Sequence, residues 1–177
     1  MRYAVLLRAV NVGGTGKLPM SDLREVLTGL GYDEVSTYLQ SGNALLSADA
    51  TTPAAIRARV EQALAARSAR VDVLVRTHAD LARIVEDNPY PDAAATPTRL
   101  WVGFLASTPS AQAVETVQTT DWGEDRITVT ADGAYLTLPG GGGRSKLAAV
   151  ALARLGVLGT MRNWNTVLAL RDRTATP

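Results

Sequence analysis

Cysteine is absent from the 177 residues, which removes disulfides, thiolate nucleophiles and sulfur-ligated zinc. Histidine occurs once, at His78, so neither a two-histidine metal site nor a histidine relay can be assembled within one chain. Net charge is equally scarce: 18 basic residues stand against 17 acidic ones. A balance of +1 gives no global attraction to nucleic acid or to an acidic membrane. Any anion site must therefore be a local cluster. Long apolar runs are missing too, and Met1 leads directly into a core-like strand with no charged-then-apolar leader. The expectation is a soluble, cytoplasmic protein without membrane contact. Arginine is plentiful, supplying 16 of the 18 basic residues, and so is alanine; GC-rich codon usage accounts for both without an arginine-driven function. An apolar fraction of 46% is enough for a real core, and the length suits one domain or two small ones.

The segment RYAVLLRAV predicts a strand, with Tyr3, Val5 and Leu7 on one face and Ala4, Leu6 and Arg8 on the other. Both faces are largely apolar, so the sheet is expected to be covered on each side. LPMSDLREVLTGLG then spaces Met20, Leu23, Val26, Leu27 and Leu30 as a helix, with Gly31 as its stop. EVSTYLQ and NALLSA read as strands joined by a tight turn at Ser41 and Gly42. A helix follows over TTPAAIRARVEQALAARS, capped by Thr52 with Pro53 in its first turn. The strand RVDVLVRT and the short helix HADLARIVEDN, with Thr77 as cap, complete a split βαβ order. NPYPDAAATPT, with three prolines and no apolar period, reads as a connector. Beyond it the order repeats: strand RLWVGFLA, helix TPSAQAVETVQ, strand DRITVT, a hairpin turn at Asp132 and Gly133, and strand YLTL. PGGGG, the helix RSKLAAVALARLG, a short strand-like VLGTM and the helix RNWNTVLALRDR close the chain. The prediction is an α+β protein of two tandem ferredoxin-like (α/β plait) domains, residues 1–90 and 99–177 around a connector at 91–98, each followed by an extra helix.

LLRAVNVGGTGKLPMSDLREVLTGLGYDEVSTYLQSGNALL and, near the end, GRSKL, LG and TMRNWNTVLAL resemble the opening and closing motifs of the bacterial domain of unknown function 1697 family. The resemblance spans essentially the whole chain and implies a pair of ferredoxin-like domains. It implies no activity and no cofactor. The chain departs from the pattern the resemblance implies at Ala9, where many relatives carry glycine, and at Met161, where a small hydroxyl residue is common.

NVGGTGKLP invites comparison with a phosphate-binding loop. A Walker loop needs glycine six positions before its lysine and a hydroxyl directly after it, and those places hold Asn11 and Leu18. Two readings then stand. Gly13, Gly14 and Gly16 free backbone amides ahead of a helix whose dipole favours an anion, with Lys17 adding charge; or the segment is a glycine corner with a solvated lysine. In a ferredoxin-like sheet this loop and the QSGN hairpin share one end, so Arg8, Asn11, Lys17, Gln40, Ser41 and Asn43 are expected to converge on one polar patch. The alternative is that Ser41 and Asn43 are ordinary turn residues.

The second half has a corresponding end. Gly140 to Gly143 (with Gly142 and Gly143 nearest the charges), Arg144, Ser145 and Lys146 are expected beside Arg162, Asn163, Trp164 and Asn165. Ser145 and Asn163 serve equally as helix caps. Four successive glycines demand a close backbone approach or real mobility. Trp164 reads as a packing residue, with stacking on a base as the alternative. DWGED reads as a solvated loop rather than a metal site, and His78 as a helix-boundary residue.

Three functions follow from these features. The leading one is a binding module for a small anionic or phosphorylated ligand at the glycine-rich loops. Nucleic-acid binding rests on fold analogy alone, since the central strands lack an aromatic pair; only Trp101 and Tyr135 stand near those positions. The third is an interaction module without a ligand. A transferase or hydrolase relying on stabilisation of a bound anion is a further alternative, although no catalytic group, metal or cofactor is indicated, and the oligomeric state is not legible.

Overall fold

The computed structural model describes residues 1–11, 17–67 and 69–175. It divides into two compact units, Met1–Leu81 with Leu170–Pro177, and Ala82–Ala169. Among the described residues the architecture is mixed α and β, with six α-helices and two four-stranded antiparallel sheets.

The first sheet contains β1 (Arg2–Leu7), β2 (Asp33–Thr37), β3 (Asn43–Ser47) and β4 (Val73–Thr77) in the order β2-β3-β1-β4. Period-two alternation puts Tyr3, Val5, Leu7, Ala44, Leu46, Val73 and Val75 on one face. Two helices cover that face. α1 (Met20–Gly29) inserts Leu23 and Leu27, and α2 (Pro53–Ala66) inserts Ile56, Val60 and Leu64 at fourfold spacing. The opposite face is buried as well, at Ala4, Leu6, Leu45 and Leu74. Thr52 caps α2 by accepting from the Ala55 amide at 3.2 Å, as its place before Pro53 predicts. α3 (His78–Glu86) opens with a reciprocal capping box: Thr77 Oγ1 accepts from the Asp80 amide at 3.1 Å, and Asp80 Oδ2 accepts from the Thr77 amide at 2.9 Å.

The second sheet repeats the scheme with β5 (Leu100–Leu105), β6 (Arg126–Val129), β7 (Ala134–Thr137) and β8 (Gly159–Asn163) in the order β6-β7-β5-β8. α4 (Ala111–Thr119) supplies Val117, and α5 (Lys146–Leu155) supplies Leu147, Ala151 and Leu155, to a core over Ala134 and Leu136. α6 (Trp164–Thr174) ends the chain's regular structure. A hairpin at Asp132 and Gly133 joins β6 to β7, closed by the Thr130 amide to Gly133 O at 2.8 Å. The connector segment contains a 3-10 turn, Asp92–Ala95. None of the described helices is long and apolar enough to cross a membrane.

Several boundaries differ from the sequence expectation: β1 ends at Leu7 rather than Val10 and β4 begins at Val73 rather than Arg70, and two further shifts fall at the candidate sites. β2 stops at Thr37 rather than Gln40, because Leu39 turns into the left-handed region at φ 60° and the Asn43 side chain takes the Tyr38 carbonyl at 2.9 Å. At the other end of the chain, Arg162 and Asn163 finish β8 instead of opening the last helix. Their pairing with Val102 and Trp101 extends the strand to that point.

Candidate functional site

At one end of the first sheet, Leu7 closes β1 and its amide donates to Gly42 O at 2.8 Å, while the Arg8 amide donates to Asp72 O at 2.9 Å. The exit of β1 thus sits between the starts of β3 and β4. Asn11 ties this end together: its Nδ2 donates to Leu18 O and to Gln40 O, each at 2.8 Å, and its Oδ1 accepts from the Leu18 amide at 2.9 Å. One side chain therefore links Asn11 to Leu18, just ahead of α1, and to Gln40 of the β2–β3 hairpin. Gly13 and Gly14 lie outside the described residues.

The backbone here is unusual. Ala9, Asn11 and Leu39 have φ of 54°, 55° and 60°, a region that costs most side chains about 1–2 kcal/mol. Ala9 holds a conformation that glycine adopts most easily. Gly42 has φ 77° and no space for a side chain: a Cβ would stand 2.3 Å from Val10 Cγ2 and 2.9 Å from Leu7 Cβ. Asn43 is fully buried, and its amide holds Tyr38 O at 2.9 Å and Ser41 Oγ at 3.1 Å. Asn11 and Asn43 are thus framework residues. Arg8, Lys17, Leu39 and Gln40 are exposed and Ser41 is half-buried. Arg8 Nη1 meets Asp72 Oδ2 at 3.1 Å, both side chains being about half exposed.

The corresponding end of the second unit is organised by Trp101. Its indole N–H donates to Thr98 O at 3.0 Å, its backbone pairs with Asn163, and its ring lies against Gly142, where a Cβ would stand 2.9 Å from both Cε2 and Cζ2. Gly141 takes φ 83°. A close approach and a left-handed residue thus account for two of the four glycines. Ser145 caps α5 through the Ala148 amide at 2.9 Å and donates to Asp125 Oδ2 at 2.6 Å. That carboxylate puts negative charge beside the helix start, which disfavours a further anion there. Asn163 caps α6, accepting from the Thr166 amide at 3.0 Å. Arg144, Lys146 and Asn165 are exposed, whereas Trp164 is buried.

Arg162 is an interior residue at 6% exposure, bonded through Nη1 to Thr160 Oγ1 at 2.7 Å and Met161 O at 2.8 Å. Burial lowers its guanidinium to about 10. A family model described as protein of unknown function (DUF1697) matches residues 1–135. The chain belongs to that family. The opening motif falls inside the DUF1697 match, and the closing motif lies beyond its last residue. A solved structure of a conserved bacterial protein from Streptococcus pneumoniae is similar in fold, with a TM-score of 0.77 over 98% of each chain at 22% identity. No curated protein matches this DUF1697 chain.

Sequence reasoning overlooked two residues of this DUF1697 protein. Asp72 reaches Arg8 only through the pairing of β4 with β1, which no local signal announces. Arg76 is the counterpart of Arg162. Each is the penultimate residue of its fourth strand, pairs with the third residue of its central strand, and donates Nη1 to the preceding carbonyl. The match between VLVRTH and GTMRNW, an arginine directly before a helix-capping residue, is the signal that finds it.

Trp101 and Tyr135 do not form an aromatic platform. Trp101 pairs with Leu136, and Val102 with Tyr135, so the two rings project from opposite faces. Tyr135 is fully buried, its hydroxyl donating to Ile84 O at 2.9 Å. Burial pushes its phenol up to about 12, against an opposing hydrogen bond from Thr130. The folded state therefore holds this proton more tightly than the unfolded chain. The associated stability is complete below pH 10 and is lost as pH rises through 12, about 3 kcal/mol in all. Urea titrations between pH 8.5 and 11.5 are expected to show the wild type losing about 2 kcal/mol more than Tyr135→Phe; parallel profiles for the two proteins contradict this assignment. Among the described residues no cluster of three or more histidine, aspartate or glutamate side chains is arranged to hold a metal.

Proposed function

We propose that this protein is a cytoplasmic binding module for a small anionic, phosphate-bearing ligand, and that the ligand sits where the β1–α1 segment meets the β2–β3 hairpin. The observation that carries this reading is the Asn11 clamp, which joins the two segments through Leu18 and Gln40 and leaves Arg8, Lys17 and Gln40 exposed around it. Two cations and neutral hydrogen-bonding groups on a fixed framework suit a compact anion. The left-handed Ala9, Asn11 and Leu39 add local strain of the kind that binding loops often store.

The strand order supports reading each unit as a ferredoxin-like domain, because a central β1 between β3 and β4 brings the first loop and the hairpin to one end. The other glycine-rich end is the weaker candidate. Its helix start is already served by Ser145 and Asp125, and Arg162 and Trp164 are interior residues.

A thermal-shift screen of the full chain with inorganic phosphate, nucleotides and sugar phosphates tests the proposal. At ten times the dissociation constant, a ligand is expected to raise Tm by about 3–5 °C. Arg8→Ala with Lys17→Ala removes that rise, and Arg144→Ala with Lys146→Ala keeps it. No rise with any compound defeats the reading. A rise lost only in the second pair moves the site to the other end.

A further inference from the structure

We infer that Asp72 is an internal competitor for the anion site, an acidic group that occupies Arg8 until a ligand displaces it. The inference rests on the ligand reading above and adds its regulation. Arg8 leaves β1 and meets Asp72 twice, through its amide to Asp72 O at 2.9 Å and through Nη1 to Oδ2 at 3.1 Å. The first contact belongs to the sheet and fixes where Arg8 stands. The second is a one-point ion pair between half-exposed side chains, at 49% and 48%.

Such pairs are weak, because solvent screens them and both side chains lose freedom in forming them. A guanidinium carries five N–H donors, and this pair uses one of them. A phosphate oxyanion can take two in parallel and brings more charge than a carboxylate. Exchange of Asp72 for phosphate is therefore favourable at Arg8 while remaining opposed by the carboxylate left nearby. In the free protein the Arg8 and Asp72 charges cancel, leaving Lys17 as the net charge among these three groups. Asp72 thus sets the affinity of the site without being needed to form it. A weak anion fails to displace it, and a doubly charged one succeeds.

Isothermal titration of the full chain with inorganic phosphate tests this, using the wild type, Asp72→Asn, Arg8→Ala and the double variant. Asp72→Asn keeps the side-chain shape and is expected to tighten phosphate by about three- to tenfold. In the Arg8→Ala background the same change is expected to alter affinity by less than about twofold, because the competition runs through that guanidinium. Far-UV circular dichroism checks that all four proteins are folded. If the wild type binds and Asp72→Asn binds equally or more weakly, the competitor role is overturned while the ligand reading survives. Equal tightening in both backgrounds also overturns it, since Asp72 then acts only as diffuse negative charge. Failure of both the wild type and Asp72→Asn to bind phosphate overturns the ligand reading and this inference together.

Discussion

Gly42→Ala is expected to destabilise the first unit by about 3–4 kcal/mol. Two independent terms add. The residue sits at φ 77°, where a Cβ costs about 1–2 kcal/mol. The added methyl would also stand 2.3 Å from Val10 Cγ2 and 2.9 Å from Leu7 Cβ. Val10 is itself buried and has only χ1 to move, while Leu7 Cβ is fixed by β1, so overpacking adds about 1–3 kcal/mol. The steric share can be separated from the conformational one. Val10→Ala removes the nearest methyl, so the double variant is expected to recover about 1 kcal/mol relative to the sum of the single changes. Urea denaturation measures all four proteins. A cost below about 1 kcal/mol for Gly42→Ala, or strict additivity with Val10→Ala, contradicts the packing described for this hairpin.

Asn11→Ala is expected to cost about 2–3 kcal/mol and to uncouple the two segments that it joins. Three hydrogen bonds are lost at once, each worth about 1 kcal/mol net where the group is partly buried. Alanine is also a poorer occupant of φ 55° than asparagine. Asn11→Asp separates these contributions. It keeps an acceptor for the Leu18 amide but has no donor for Leu18 O or Gln40 O, so it is expected to be nearly as damaging as alanine. Amide hydrogen exchange provides the local readout, with Leu18 losing protection in Asn11→Ala and retaining more of it in Asn11→Asp, whose carboxylate still accepts from that amide. Unchanged protection there, with unchanged stability, means that the clamp does not hold the segments.

Much of the fold was legible because its signals are local. Thr52 ahead of Pro53, Thr77 ahead of α3 and Ser145 ahead of α5 each accept the expected helix-capping bond. The repeated element order anticipated two sheets with matching strand order. Burial of arginine was not legible, since arginine is seldom interior and only the pairing of β8 with β5 carries Arg162 inside. The end of β2 was missed because nothing in the letters YLQS announces a leucine at φ 60°. The candidate site divides in the same way. Glycine and lysine mark the first loop in the sequence, but the residue that ties this end to the hairpin is Asn11, which stands where a Walker loop needs glycine. Asp72 was invisible because its partner is 64 positions away.

The most direct test of the proposed site is a two-dimensional ¹⁵N–¹H titration of the full chain with inorganic phosphate. The amides of Arg8, Lys17, Gln40 and Ser41 are expected to shift progressively and saturate together, and Lys17→Ala is expected to weaken the same set of shifts. Saturating shifts confined to residues 140–146, or none anywhere in the spectrum, contradict the proposed site.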